Sequence, residues 1–484
     1  MTEQPLWQLT AAEINTRIRR RELTAVQATQ AVLDHMHAIN PELNAVVEDL
    51  GDSALREAAA QDTLIAPTGP LHGVPVTIKI NVDQKGHATS NGVPALKDLM
   101  APEDAPIVAN LKKAGAIVIG RTNTPEYSFR ADTDNPLFGR TYNPWGKHIS
   151  PGGSSGGAGA AVMAGIGALA HGNDIGGSLR FPAAANGAVT VKPGLGRVPA
   201  WNPSQKAERG MLAQMMSVQG LIARSAADLH LSMPAAVAAD PRDPFHVPLP
   251  YRGALLDGQI KVGFTKQTFG YDLHPEVSQA LDAARDALDD AGYVVEDIEP
   301  PLLREAGMDG YRALMGEVRA LMAPDIRRDG SETIQKIFDT YFQEFPPFEG
   351  EELLQAMARR SHYARTWSLL LETYPLVVTP FMPQPFFAPD RDTEGADGVQ
   401  EVLGSALYSY AMNFMGLPAG CLPTRLAQLP RGAQPINVQI VGRRWREDLI
   451  VNACVAIEHR VGRMCDALWA QMAAAAKPKS TVTG

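Results

Sequence analysis

Two glycine-rich segments that carry serine constrain this chain more than any other feature. They are Gly152–Gly157, with the sequence GGSSGG, and Asp174–Ser178, with the sequence DIGGS. Ser154 and Ser178 stand 24 positions apart (178 minus 154), and the residues between them are small and helix-like. Because glycine has no side chain, backbone N–H groups beside it can come close to a reacting atom. The two segments therefore indicate a site built from polar side chains and backbone amides.

Composition argues against several classes of function. The net charge of −9 leaves no excess of Lys and Arg to neutralise phosphates, so we expect no nucleic-acid partner. Cys421, Cys454 and Cys465 lack CxxC spacing, which argues against a disulfide framework or a zinc site and favours a reducing, cytoplasmic location. The longest apolar run, 158–170, is too short to span a bilayer, so we expect no membrane partner. GGSSGG matches neither a P-loop nor GxGxxG, and we expect no cofactor and no metal.

The order of patterns predicts an α/β protein. Apolar residues alternate through 74–80 as in a buried strand, a helix is expected from Ala105 to Ala114, and the apolar strand AIVIGRT follows. Thr10 and Ser225 are expected to cap helices. We expect residues 181–199 to form a loop with short strands. Residues 301–372, rich in Met and aromatic side chains, are expected to be mostly helical.

A serine can act as a nucleophile only with a base within hydrogen-bond reach and donors for the oxyanion. His171 is near in sequence, but no Gly-x-Ser-x-Gly elbow is present, which lowers the case for a Ser-His-Asp triad. A lysine can replace histidine if burial lowers its pKa, and Lys79 stands inside the apolar strand at 74–80. Strand lysines more often face solvent, and GGSSGG alone also fits a flexible turn. The residues by themselves leave these alternatives open.

The ordered set of motifs resembles the amidase signature family. The matching blocks are HGVPVTIK with Lys79, GRTNTPEYS at 120–128, FGRTYNPW at 138–145, SPGGSSGG, DIGGS followed by Arg180, QGLIARSAADL at 219–229, MNFMGLPAG and VQIVGRRWRED. The resemblance implies a single large α/β domain over residues 1–475, with a mixed, twisted central sheet covered by helices on both sides. The core motifs would span 70–230, and a variable helical region at about 301–390 would form the substrate pocket. Residues 476–484 would be a flexible tail.

The resemblance also implies catalytic roles. Ser178 would be the nucleophile that forms an acyl-enzyme, Ser154 would relay the proton, and Lys79 would be the base. The Gly153–Ser154 peptide bond would be cis. A short helix must then fold back so that Ser154 and Ser178 touch.

The residues around the nucleophile would support this chemistry. The oxyanion hole would consist of the backbone N–H groups of Ile175, Gly176, Gly177 and Ser178. Ser155 would support the site by hydrogen bonding, and Asp174 and Arg180 would form a structural ion pair.

Three residues depart from the family pattern. Ile80 stands where Asp is common, Asn173 where Thr or Ser usually precedes Asp174, and Asn437 where glycine is usual. None of them removes a catalytic group, but they leave the substrate class and the local geometry open.

The resulting prediction is an amidase that acts on a small aryl or alkyl amide or anilide, with an ester or carbamate as further options. Its partner would be the small-molecule amide, and a homodimer is compatible with the sequence. One alternative is the glutaminase subunit of a tRNA-dependent amidotransferase, which uses the same triad with partner subunits. The other is a non-catalytic scaffold with a relic site.

Overall fold

The computed structural model describes residues 4–476 of the chain. The predicted tail, 476–484, lies outside the described residues except for Ala476, which ends the last helix. In residues 4–476, no helix combines the length and apolar character that crossing a membrane requires.

Eleven strands form one sheet within residues 4–476. They are β1 Val46–Asp49, β2 Pro75–Lys79, β3 Ile117–Thr122, β4 Leu169–Asp174, β5 Val189–Lys192, β6 Val218–Ala223, β7 Lys261–Phe264, β8 Val294–Asp297, β9 Leu376–Pro380, β10 Ala419–Leu429 and β11 Gly432–Gly442. Their order across the sheet is β1-β3-β2-β4-β6-β5-β10-β11-β9-β7-β8. β2 runs parallel to β3 and β4, whereas β4 runs antiparallel to β6. The predicted α/β class with a mixed central sheet is confirmed.

Helices cover both faces of this sheet. They are α1 Ala11–Arg19, α2 Ala25–Leu43, α3 Gly51–Asp62, α4 Pro106–Lys113, α5 Gly156–Ala164, α6 Arg180–Asn186, α7 Met211–Met216, α8 Ala226–Ala236, α9 Pro275–Asp290, α10 Leu303–Leu321, α11 Ala323–Asp329, α12 Glu332–Glu344, α13 Gly350–Thr373, α14 Gly395–Val399, α15 Leu407–Met415, α16 Glu447–Val461 and α17 Met464–Ala476. The region from residue 303 to 373 is mostly helical, as predicted.

Side chains that alternate along β9 separate the two larger apolar cores. A third, smaller core lies around α2, α3 and β3. In β9, Val377 packs into the core formed with α10, α12, α13 and α15. Its neighbours Leu376 and Val378 pack into the opposite core, formed with α4, α8, α9 and α16. Because successive strand residues point to opposite faces, one short apolar strand serves both cores.

Thr10 and Ser225 were both expected to cap helices, and only Thr10 does so. Thr10 forms the expected capping box, in which its hydroxyl accepts from Glu13 N and Glu13 accepts from Thr10 N. Ser225 precedes α8 as expected, but its side chain does not cap the helix. Ser225 Oγ donates to Glu458, and the Glu458 carboxylate accepts from Ala226 N instead. A carboxylate from a distant helix thus replaces the local hydroxyl.

The prediction for residues 181–199 was wrong in its first part. Residues Arg180–Asn186 form helix α6 and not a loop. Pro182 lies in the first turn, where its missing N–H breaks no helical hydrogen bond, and three alanines follow it. Gly187, with φ of 76°, ends the helix, and β5 begins shortly after. The helix begins directly after Ser178 and Leu179.

Helix α5 is packed so tightly that its glycines cannot gain a side chain. A Cβ at Gly157 would lie 2.5 Å from Asn123 N and 2.7 Å from Ala45 O. Gly157→Ala, which would favour an isolated helix, is therefore expected to lower the free energy of unfolding by about 1–3 kcal/mol. Urea denaturation of the purified variants measures this change.

Gly194→Ala is the matched control, because a Cβ at Gly194 would meet no atom closer than 3.4 Å. This variant should keep the parent's stability. Equal stability of both variants would contradict the tight approach of α5 to residue 123.

Candidate active site

The sheet brings the predicted catalytic residues to one edge. Lys79 is the last residue of β2, and β4, which lies beside β2, runs directly into the loop that carries Ser178. Ser154 lies just before helix α5, and the Gly153–Ser154 peptide bond is cis, as predicted. Lys79 is fully buried and does not face solvent. The structure thus resolves the alternative that the strand lysine is a surface residue.

Three oxygen atoms surround the amine of Lys79. Nζ lies 2.7 Å from Ser154 Oγ, 2.9 Å from Asn173 Oδ1 and 3.0 Å from Ser155 Oγ. Burial lowers the pKa of Lys79 well below its usual value, and the charge of Asp174 opposes this shift without cancelling it. The amine is therefore neutral over a wider pH range than a surface lysine.

A neutral amine has two N–H donors and one lone pair, and its neighbours decide where each points. Asn173 Oδ1 can only accept, so one N–H of Lys79 points there. Ser155 Oγ makes a long hydrogen bond of 3.4 Å to the carbonyl oxygen of Asn173, so it receives the second N–H. The lone pair of Lys79 is left for the hydroxyl proton of Ser154.

An amide pair holds Asn173 in this orientation. Asn173 Nδ2 donates to Asn81 Oδ1 at 2.9 Å, and Asn81 Nδ2 lies 3.2 Å from Asn173 Oδ1. Asn81 Nδ2 also donates to Ser128 Oγ at 2.9 Å. If the Asn173 amide were turned over, two N–H groups would face Lys79 and Asn81 without an acceptor. The departure at residue 173 therefore supplies an acceptor to the lysine.

The same hydrogen-bond network also reaches the backbone carbonyl oxygen of Ser154. Ser128 Oγ lies 2.7 Å from Thr124 Oγ1, which donates to the Ser154 carbonyl oxygen at 2.9 Å. Lys79 and Ser154 are thus joined twice, once directly and once through this ring of polar groups. Asn173 stands out in the sequence, whereas the roles of Asn81, Ser128 and Thr124 were not predicted from it. The only signal was the concentration of polar residues after β2 and in 122–128.

Asp174 and Arg180 form the predicted ion pair, fully buried between β4 and α6. Arg180 Nε and Nη2 each lie 3.0 Å from a carboxylate oxygen of Asp174. Burial alone would raise the pKa of Asp174, but the charge and hydrogen bonds of Arg180, together with the charge of Lys192 and the Leu179 N–H, lower it overall. The carboxylate also accepts from Gly177 N at 2.7 Å and from Leu179 N at 3.1 Å. Asp174 therefore shapes the loop on both sides of Ser178.

These contacts correct one part of the predicted oxyanion hole. Because Gly177 N–H donates to Asp174, it is not available for an oxyanion. Within residues 4–476, the N–H groups of Ile175, Gly176 and Ser178 have no acceptor. Glycine is required at 176, where a Cβ would lie 2.8 Å from the ring of Tyr410. Among the described residues, three of the four predicted N–H groups are therefore free, and the fourth, that of Gly177, stabilises the conformation of the loop.

The two serine segments meet through their backbones. Ser155 N donates to the Ser178 carbonyl oxygen at 3.3 Å, so helix α5 and β4 fold back as expected. Ser178 Oγ has no hydrogen-bond partner in the described part of the chain, and Ser178 is half-buried at the edge of a cavity. Ser154 and Ser178 were expected to touch, but their hydroxyls form no hydrogen bond with each other.

His171 supports the strand and does not serve as the base. Its Nε2 pairs with Gln219 Oε1 at 2.9 Å, and its Nδ1 accepts a long, 3.5 Å hydrogen bond from Lys79 N. Burial lowers the pKa of His171 to about 4, so the ring is neutral. In residues 4–476, no group of three or more His, Cys, Asp or Glu side chains is placed to hold a metal ion.

The cavity beside Ser178 is largely aromatic. It encloses about 440 Å³ that no protein atom fills, counting the part open to solvent. Its aromatic and aliphatic lining consists of Phe129, Ala131, Ile175, Phe181, Tyr311, Leu314, Met315, Tyr341, Leu403 and Tyr410. Among the described residues that line it, Arg130 alone carries a charge. That charge is compensated, because Arg130 Nη2 and Nε lie 2.7 and 2.9 Å from the carboxylate of Asp392.

The chain is similar in sequence to several known proteins. The sequence profile of the Amidase family matches residues 27–451. Indoleacetamide hydrolase from Bradyrhizobium diazoefficiens is 45% identical over 472 residues, which cover 97% of this chain and 89% of that protein. A glutamyl-tRNA(Gln) amidotransferase subunit from Moorella thermoacetica is 32% identical over 486 residues, covering 94% of this chain and 96% of that protein.

A solved structure extends the similarity to the fold. A bacterial aryl acylamidase of the amidase signature enzymes matches with a TM-score of 0.82 and 25% identity. The match covers 98% of this chain and 100% of the other. It therefore includes both the sheet edge with the polar network and the helices that form the cavity.

The buried ion pair beside the nucleophile predicts a large effect on stability. Asp174→Asn would leave the Arg180 guanidinium buried without a carboxylate, and the free energy of unfolding should fall by about 3–5 kcal/mol. Urea denaturation followed by circular dichroism gives this value.

Asp466→Asn is the matched control, since Asp466 pairs with Arg463 at the surface. Exposed pairs contribute at most about 1 kcal/mol, so this variant should be close to the parent. Similar losses in both variants would show that the buried pair is not what stabilises the loop.

Proposed function

Because the chain belongs to the amidase signature family, it is a hydrolase of amide C–N bonds, and we propose that it cleaves a small, neutral, aromatic amide through an acyl-enzyme on Ser178. The observation that carries the proposal is the 2.7 Å contact between Lys79 Nζ and Ser154 Oγ in a buried setting. A buried neutral lysine beside a serine is the base that such chemistry needs.

The proton path follows from the orientation of Lys79. Its lone pair accepts the proton of Ser154, Ser154 accepts the proton of Ser178, and Ser178 Oγ forms a bond to the amide carbon. When the tetrahedral intermediate breaks its C–N bond, the same path returns the proton to the leaving nitrogen. Water, activated by the same base, then attacks the ester and releases the carboxylic acid and Ser178.

The developing oxyanion requires donors that are already in place. We assign this role to the backbone N–H groups of Ile175, Gly176 and Ser178, which lack acceptors in the described chain. Removing one such donor from an acyl-transfer site typically costs about 3–4 kcal/mol of transition-state stabilisation. Asp174 fixes the loop that carries all three.

The cavity supports an uncharged aromatic substrate. Aromatic rings line it, and its one charged side chain among the described residues, Arg130, is held by Asp392. The relative named indoleacetamide hydrolase fits this chemistry, and we propose arylacetamides, indole-3-acetamide among them, as substrates. The products would be the arylacetic acid and ammonia.

The two alternatives have less support. Glutamine would bring an ammonium and a carboxylate, and burying them without partners is costly. The described lining residues offer neither charge a free counterion, which disfavours the role of a glutaminase in an amidotransferase. A relic scaffold would have no need of a buried lysine aimed at a serine. The cytoplasmic location, the homodimer, the absence of a nucleic-acid partner and the domain bounds 1–475 remain predictions from the sequence.

Ser178→Ala tests the nucleophile. Hydrolysis of indole-3-acetamide, followed by ammonia release, should fall by at least about 10⁴-fold, because no other group is placed to form the ester. During turnover by the parent, mass spectrometry should find the indoleacetyl group on the peptide that contains Ser178. Glutamine should be a poor substrate of the parent.

Ser368→Ala is the control, because the hydroxyl of Ser368 on α13 bonds only to the Ala364 carbonyl oxygen. It should keep parental activity. Activity retained by Ser178→Ala, or an acyl group on another residue, would refute the mechanism.

Asn173→Asp tests the protonation state of Lys79. A carboxylate in contact with Nζ stabilises the ammonium, so the pKa of Lys79 rises by about one to three units. Since only the neutral amine accepts the Ser154 proton, the acid limb of kcat/KM should move to higher pH by the same amount. A pH profile of kcat/KM measures the shift.

Asn452→Asp on the exposed face of α16 adds the same charge far from Lys79. Its profile should match the parent's. Overlapping profiles of the two variants would show that Lys79 does not govern the acid limb.

A further inference from the structure

One tyrosine that lines the aromatic cavity has a buried hydroxyl without a partner in the described chain. Tyr311 on α10 is 4% exposed, and its hydroxyl is buried without a hydrogen bond in residues 4–476. A buried hydroxyl that leaves its hydrogen bonds unmade destabilises the fold, and a Phe in its place would fill the same space without that loss. Such an atom in the lining of a cavity indicates a contact made only when a ligand is present.

The ring that carries this hydroxyl is held in place. The centroid of Tyr311 lies 4.7 Å from that of Phe345 and 4.7 Å from that of Tyr410. Tyr410 in turn packs against Gly176 of the loop before the nucleophile. Tyr311 therefore lies one aromatic ring beyond the oxyanion loop and lines the same cavity as Ser178. Only rotation about its C–O bond remains to adjust the hydroxyl.

Tyr341, another tyrosine of the cavity, differs from Tyr311. Tyr341 Oη lies 3.5 Å from Asp392, so its hydroxyl has a partner within the protein. Burial raises the pKa of Tyr311 well above its usual value, so its hydroxyl stays neutral and can accept as well as donate. Tyr311 therefore offers an acceptor to a ligand that carries a donor on its aromatic part.

We propose that Tyr311 is a specificity-determining residue whose hydroxyl oxygen accepts a hydrogen bond from a ring N–H of the substrate's aromatic acyl group. This inference rests on the proposed function. It names the substrate class more narrowly, as amides whose aromatic group carries a donor, such as an indole. A site built to hydrogen-bond a substrate group rejects analogues that lack the group, because its own polar atom then stays unpaired.

Three amides test the inference. Indole-3-acetamide carries the ring N–H, whereas 1-methylindole-3-acetamide and 1-naphthaleneacetamide do not. Tyr311→Phe should lower kcat/KM for indole-3-acetamide by about tenfold, the size of one neutral hydrogen bond, and change it less than twofold for the other two. The melting temperature of Tyr311→Phe should equal or exceed the parent's, because the variant loses an unpaired hydroxyl.

Tyr341→Phe and Tyr410→Phe are matched controls in the same cavity. They should affect the three amides alike. The inference is overturned if Tyr311→Phe lowers all three rates equally or none of them, if it lowers the melting temperature, or if a control variant shows the selective loss. A parent enzyme that hydrolyses none of the three amides would refute the proposed function itself, and the inference with it.

Discussion

The structure of this site depends on placing one lysine where water cannot reach it. Lys79 ends a strand that is buried on both faces, and its amine meets only three oxygen atoms. Burial removes the hydration that would hold a proton on the amine, and the acceptors fix where its two N–H groups point. A single physical effect, desolvation, therefore sets the protonation state that the proposed chemistry needs. The neighbouring acceptors, Asn173 Oδ1 and Ser155 Oγ, then direct the lone pair of Lys79 toward Ser154.

The nearby charges are arranged so that they do not undo this effect. Asp174 would favour an ammonium at Lys79, but its carboxylate is bound by Arg180 and by two backbone amides. Asp174 therefore has two effects that could conflict, because it shapes the loop of the nucleophile and carries a charge that would raise the pKa of Lys79. It holds the loop of the nucleophile, and its charge is compensated by Arg180. Arg180 is further held by Gln439 and Asn413, which ties this pair to the second half of the sheet.

Much of this arrangement could be predicted from the sequence, for physical reasons that differ by residue. Lys79 stands out because a charged residue in an apolar strand needs a reason, and the glycine-flanked serines indicate backbone approach. Helix α6 was missed because its short, proline-containing sequence resembles a loop, and its helical state depends on burial. The commitment of the Gly177 amide to Asp174 is local but depends on the conformation of the loop, which the residue types do not fix. The partner of Ser225 lies on a distant helix, which spacing alone does not reveal. The ring through Asn81 was missed for the same reason.

The chain supplies the two halves of the site from different stretches. The groups that would make and break bonds come from residues 79–178, whereas the cavity draws Tyr311, Tyr341 and Tyr410 from helices α10, α12 and α15. The reacting groups therefore come from one stretch, whereas recognition draws on both, because Phe129 and Ile175 of the first stretch also line the cavity. An evolving gene, or a protein engineer, could vary the side chains of the helical wall and keep the groups that make and break bonds. Diversity of substrates on one catalytic scaffold is the expected outcome of that division.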